Sequence, residues 1–291
     1  MKFAFIDTQR SSHPLSLLCR TLAVSVSGYY RWRSRRQRAE LTPRQAANQT
    51  LGEAIRTVHT ASYGTYGSPR IHAQLRDEGW QCSRQRVERL MRVMGVRGKC
   101  KGRRRPVTTQ SNHSWPVAAN LLNQNFAAEQ PNQKWAADIT YIPTAAGWLY
   151  LAVVLDLFSR KVVGWAMDTT MTAALVARAL NAALATRRPG RGLLHHSDRG
   201  GQYASHLYRD LLGPRQIQLS MSRKGNCYDN AVVESFFATL KTECVDDQRY
   251  ASPADARLDL FAYIEGFYNR SRLHSALGYR SPEQFEQRYA P

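Results

Sequence analysis

Positive charge is concentrated at one end of this chain, and the hydrophobic pattern changes where the charge falls away. Residues 1–110 hold 22 Lys and Arg against 6 Asp and Glu, whereas residues 111–291 hold 19 against 16. The formal charge of +19 therefore comes mainly from the amino-terminal third. A surplus of this size makes a polyanion the expected partner, with nucleic acid first among them. A solvated basic tail would be poor in apolar residues, but here the arginines sit among Leu, Ile, Val and Met at helical spacing, which predicts folded basic modules. The longest apolar run, residues 149–155, is far short of the ~20 needed to cross a bilayer, so no membrane partner is expected. The opening MKFAFIDTQR carries an acid where a secretory signal would be apolar, which points to the cytoplasm. Cys19, Cys82, Cys100, Cys227 and Cys244 are scattered with no CxxC pair, and so read as reduced thiols instead of disulfides or zinc ligands.

Two basic modules can be drawn, over residues 1–40 and 41–100. Residues 15–36 read as a short helix, a turn near Ala23, and a second helix capped by Ser25 or Ser27 that carries Arg31 and Arg33. In the second module, residues 71–78 read as a helix stopped by Gly79. Ser83 then caps a second helix whose Val87, Leu90, Met91 and Met94 form one face. Arg84, Arg86 and Arg89 project from its other faces, suited to phosphates and base edges in a DNA groove. Residues 101–130 read as a basic linker, and Arg103, Arg104 and Arg105 as an arm along a phosphate backbone.

From residue 131 to 250 the pattern alternates strands and helices. Residues 134–144, 147–159 and 160–168 are β-rich runs divided by short polar turns, which predicts a three-stranded meander. A helix over 171–187, a strand over 192–200, a helix near 205–212, a strand over 217–222 and a helix over 231–244 follow. The order predicts an α/β fold with a mixed five-stranded sheet flanked by helices, preceded by the small all-α modules and followed by a helical segment over 251–291. Its acids are unevenly spread. Asp138 falls inside the first strand, Asp198 at the carboxyl end of the fourth, and Glu234 one turn into the last long helix. A central first strand beside the fourth would put Asp138 and Asp198 together, with Glu234 closing the triangle. Carboxylates so close repel unless cations lie between them, a reason to expect Mg²⁺ or Mn²⁺. Asp156 reads as a turn or ion-pair residue, and Asp229 and Asn230 as helix caps. His195 and His196 lack zinc-ligand spacing, although His196 shares a strand face with Asp198 and is a candidate neighbour of the site or of DNA.

The phrases NQKWAADITYIPT (132–144), GWLYLAVVLDLFSRKVVGW (147–165), HSDRGGQY (196–203), KGNCYDNAVVESFFATLKTE (224–243) and YNRSRLHSALGYRSPEQF (268–285) come in one order. In these the chain resembles the DDE transposases of bacterial insertion sequences, specifically the second open reading frame product of the insertion sequence three family. The catalytic domain of that family is similar to retroviral integrase. The resemblance implies an RNase H-like core with Asp138, Asp198 and Glu234 as catalytic residues and as ligands of two divalent ions. It implies cleavage at the terminal inverted repeats and strand transfer that first joins the element's two ends, with target DNA as a further partner, by an oligomer on DNA. Lys241, two turns beyond Glu234 on one helix, matches a basic position of the family and is implied to contact DNA near the cut. Arg270, Arg272 and His274 belong to the family's closing segment and are assigned to DNA contact or packing. In this family an upstream frame adds a helix-turn-helix and a leucine zipper by frameshift fusion. Residues 1–291 show no leucine heptads, so weak activity is expected without that part. Two alternatives stand beside this reading: an inactive DNA-binding regulator of the element, and an RNase H-like nuclease without strand transfer.

Overall fold

The structure, a computed structural model, describes residues 1–37, 41–100, 116–224 and 226–289. Arg103, Arg104 and Arg105 lie outside the described residues. The chain opens with α1 (Lys2–Gln9), α2 (Leu15–Thr21) and α3 (Val26–Gln37). The last two are the expected helix-turn-helix, turning through Ala23 at φ +50°. The sequence reading did not foresee α1, because it buries a single residue, Ile6, and so has no periodic apolar face. Ile6 joins Leu18, Cys19 and Tyr29 in a small core of their own, where Tyr29 donates its hydroxyl proton to Asp7 at 2.6 Å.

The next module is α4 (Pro43–Ala61), α5 (Ser68–Asp77) and α6 (Arg84–Val93). Thr42 and Gln45 form a reciprocal cap on α4, and Ser83 caps α6 as its position suggested. Sequence reading found α5 and α6 but passed over α4, whose Leu51, Ile55 and Val58 are interrupted by Gly, Thr and Asn. Those residues pack with Ile71, Leu75, Val87, Leu90 and Met91 in a core continuous with that of the following domain.

That domain contains β1 (Lys134–Thr144), β2 (Gly147–Asp156), β3 (Val162–Asp168), α7 (Ala173–Arg187), β4 (Leu194–Ser197), α8 (Gly201–Ala204), α9 (His206–Leu212), β5 (Gln218–Met221) and α10 (Ala231–Leu240). It closes with α11 (Pro253–Phe261) and α12 (Pro282–Gln287). The sheet order is β3-β2-β1-β4-β5, with β1, β2 and β3 antiparallel, and β4 parallel to both β1 and β5. This is the mixed five-stranded sheet expected. Alternation along β1 sends Ala136 and Ile142 into the core shared with α10 and the carboxyl-terminal helices, and Trp135 and Ala137 into the core beneath α7. The side chain of Asp156 is buried, accepts from Asn132 N and Phe158 N at 2.8 and 2.9 Å, and lies 3.4 Å from Arg187. It is thus both the turn residue and the ion-pair residue anticipated. Arg187 in turn grips Glu286 of α12 with two nitrogens, at 2.7 and 2.8 Å. Among the described residues no helix is long and apolar enough to cross a membrane.

The alanine-rich face of α7 lets its backbone approach β3 closely. A Cβ at Gly164 would collide with the Ala179 carbonyl oxygen and the Ala183 amide, and backbone yields less readily than a side chain. Gly164→Ala is therefore expected to cost about 2 kcal/mol and to lower the thermal unfolding midpoint by several degrees. An unchanged midpoint in differential scanning calorimetry would refute this close approach.

Candidate active site

The parallel pairing of β1 with β4 sets Ala137 opposite Ser197. The next residue in each case is acidic, Asp138 inside β1 and Asp198 just past the end of β4, so two carboxylates stand at one level on neighbouring strands. Asp138 is half-buried and accepts from the Ile139 N–H at 2.8 Å. Asp198 accepts from the Gly200 N–H at 2.9 Å. Burial pushes the Asp138 carboxyl well above the usual carboxylate range, the charge of Asp198 adds to this, and Glu234 adds further.

Glu234 stands in the first turn of α10, its side chain exposed. Desolvation by the adjoining protein still raises its carboxyl. The start of α10 is tied to β1 by Asn230, whose Nδ2 donates to the Ala137 carbonyl at 3.2 Å. Glu234 follows Asn230 by four residues and so shares its helix face, toward β1. The structure thus brings Asp138 and Asp198 together and sets the helix of Glu234 beside them. Among the described residues, no three His, Cys, Asp or Glu side chains converge tightly enough to hold an ion as they stand. The donor chemistry nonetheless suits a hard divalent cation, because all three donors are carboxylates and a cation would relieve the repulsion that raises Asp138.

Asp229 departs from its expected role as a cap. It is fully buried and accepts from Arg223 N at 2.8 Å, Arg223 Nε at 3.1 Å, Arg223 Nη2 at 2.8 Å, Asn120 Nδ2 at 2.9 Å and Gln124 Nε2 at 3.0 Å. The Arg223 guanidinium holds its carboxyl far below the usual range. Asn230 occupies the cap position but uses its side chain on β1 instead. A polar pair before a helix looks the same in sequence whether it caps the helix or anchors a loop, and only the distant partners decide.

His196 is also corrected. It is buried and bonded through Nδ1 to Ser220 Oγ at 2.8 Å and through Nε2 to Ser222 Oγ at 3.1 Å, out of reach of DNA. His195 bonds Tyr208 Oη at 2.6 Å. Burial lowers His196 to about 4 and His195 to about 3, so both brace β4 as neutral rings.

Lys241 opens a π-helical turn, Lys241–Val245, that continues α10, and its Nζ lies 4.5 Å from the ring centroid of Tyr141. Tyr141 stacks edge-on against half-exposed Trp148. Arg272 and His274 resolve to packing. Arg272 is buried, donating to both oxygens of Glu243 at 2.6 and 2.7 Å, and half-buried His274 meets Tyr268 edge-on. Glu243, which the sequence reading missed, also accepts from the Tyr263 hydroxyl at 2.8 Å. Arg270 remains exposed, as do Arg31, Arg84 and Arg89. Arg33 turns toward Asp7 at 3.8 Å, and Arg86 donates to Asn48 at 3.0 Å.

Comparison with known proteins bears on this arrangement. The integrase core domain family matches residues 128–227 and again residues 215–282, and the HTH-like domain family matches residues 46–104. The transposase InsF for insertion sequence IS3A of Escherichia coli K12 is 44% identical over 288 residues, covering 99% of each chain. The chain belongs to the IS3 family of transposases. A further relative, the insertion element IS600 uncharacterized 31 kDa protein of Shigella sonnei, is 44% identical over 272 residues, 94% of this chain and 98% of that one. Solved structures with a similar chain include the simian T-cell lymphotropic virus intasome in complex with a PP2A regulatory subunit, at 16% identity and TM-score 0.46 over 81% of this chain and 75% of the other. The HTLV-2 integrase catalytic core domain in complex with magnesium matches at 16% identity and TM-score 0.41, over 55% and 99%. This family member is a transposase with an RNase H-like integrase core, an enzyme of the polynucleotidyl transferase type, preceded by an HTH-like domain.

A carboxyl raised on folding favours the native state at low pH and loses that contribution as pH climbs through its folded value. Without divalent cations, the wild-type transposase is therefore expected to lose stability relative to Asp138→Asn as pH rises above about 4. Thermal melts of both proteins across pH check this, and parallel curves would refute it.

Proposed function

We propose that Asp138, Asp198 and Glu234 are the catalytic and metal-binding residues with which this transposase cuts and joins DNA at the ends of its element. The observation that carries the reading is the β1–β4 rung, which faces two acids of different strands toward one space beside the helix of a third. When bound there, two Mg²⁺ or Mn²⁺ ions would supply Lewis acidity for the attacking and leaving oxygens of a phosphodiester. The carboxylates act as ligands and not as nucleophiles, so no protein–DNA ester is needed. Hydrolysis frees a 3′-hydroxyl at the element's end, and that hydroxyl then attacks a second phosphodiester.

Grip on DNA falls to the basic modules over residues 1–40 and 41–100, through Arg31, Arg33, Arg84, Arg86 and Arg89. Residues 101–130 extend it with Arg103, Arg104 and Arg105. The core over 131–250 works with the helical segment over 251–291, and Lys241 contacts the strand near the cut. Exposure of Arg31, Arg84 and Arg89 supports this reading; Arg33 and Arg86 already have protein partners and contribute through remaining donors. The substrates are the terminal inverted repeats and target DNA, handled in the cytoplasm at the nucleoid by an oligomer, since two ends must be held at once. The product of an upstream frame, fused by frameshift, strengthens end recognition.

Labelled element-end DNA incubated with Mg²⁺ is expected to give nicks and then joined strands, all lost on adding EDTA. Asp198→Asn is expected to reduce both products to background while leaving duplex affinity in a gel-shift assay unchanged. Cleavage that survives in Asp198→Asn would remove this residue from the site. Nicks without joining would point to a nuclease, and no product from either the chain or its fusion would point to a regulator.

A further inference from the structure

The segment that bridges the two strand acids displays a ring for which the fold has no use. Residues 222–230 begin at β4, where the Ser222 N–H donates to the Ser197 carbonyl at 2.9 Å. They end at β1, where Asn230 donates to the Ala137 carbonyl at 3.2 Å. Each bond falls on the residue just before a candidate carboxylate. Its middle is fixed by Asp229, buried beneath five donated hydrogen bonds. Immediately before this anchor Tyr228 is 70% exposed, and its N–H is held by Asn226 Oδ1 at 3.0 Å. Exposed Lys224 supplies positive charge on the same segment, since that of Arg223 is met by Asp229. A single exposed tyrosine is ordinary on a protein surface. Here the residue stands between Asn226, which holds its N–H, and buried Asp229, two residues from the bond to β1.

We propose that Tyr228 stacks on an unpaired base at the end of the DNA substrate, holding the nucleotide next to the phosphate that Asp138 and Asp198 face. This rests on those acids being the catalytic site, and adds a substrate-positioning residue to it. A ring face attracts any base, whatever its sequence, and the adjoining Lys224 holds the backbone of the splayed strand. The interaction needs the ring and not the hydroxyl, which separates it from chemistry at the phenol oxygen.

The test uses the full chain in Ca²⁺ with duplexes of the element's end that carry 2-aminopurine at each terminal position in turn. Wild type and Tyr228→Phe are expected to change the probe's emission at one or more of these positions. Tyr228→Ser is expected to lose that change and to bind about tenfold more weakly, with a nearly unaltered thermal melt because Tyr228 is 70% exposed. Identical titrations for the three proteins, or Tyr228→Phe behaving as Tyr228→Ser, would overturn the proposal. Cleavage by wild type in Mg²⁺, measured in parallel, tests the carboxylates separately: its failure with the emission change intact counts against the catalytic reading alone.

Discussion

The rung that joins β1 to β4 imposes the main constraint on this molecule. Parallel pairing of Ala137 with Ser197 leaves Asp138 and Asp198 no choice but to emerge together. Burial holds the Asp138 carboxyl well above the usual carboxylate range, and the charge of Asp198 beside it adds to this. Holding them there takes restraint from outside the strands. Ser222 bonds the residue before Asp198, Asn230 the residue before Asp138, and His195 and His196 fix β4 from its two faces through Tyr208 on one and Ser220 and Ser222 on the other. Asp229, ionised and gripped by Arg223, fixes the segment that carries two of those restraints.

The same logic extends to the helix of Glu234. Beyond Leu240 it widens into a π-helical turn that delivers Glu243 to Arg272 and Tyr263 inside the protein. A buried ion pair adds little net stability, because both charges lose water, but removing one partner leaves an uncompensated charge. The pair therefore fixes geometry. Lys99 donates to the Glu243 carbonyl at 3.1 Å, Arg70 to the Leu273 carbonyl at 2.9 Å, and the Leu273 N–H to Tyr66 at 2.7 Å. The helical module and α10 are joined through these polar contacts and one continuous apolar core.

Much of this was legible in the residues. Alternation and polar turns give β1 to β3, and Ser83 before Val87, Leu90 and Met91 gives α6 with its cap. Asp138, Asp198 and Glu234 could be picked out because acids are costly in strands and near apolar helix faces. Where periodicity was weak, reading failed: α1 buries one residue, and the apolar face of α4 is broken by Gly52 and its polar neighbours. Asp229 was misjudged because its partners include Asn120 and Gln124, more than a hundred residues away.

Local pattern and charge thus determined, from the sequence alone, the basic character of the amino-terminal helices and the order of strands and helices on which the three acids fall, since spacing along the chain dictates which side chains share a face. Which buried polar group serves which purpose was decided only on folding. Arg272 and exposed Arg270 stand two residues apart in the same basic run, yet Arg272 is consumed by Glu243. The physical reason is that burying a charge is tolerable only beside a partner, and the partner is supplied by a distant part of the chain.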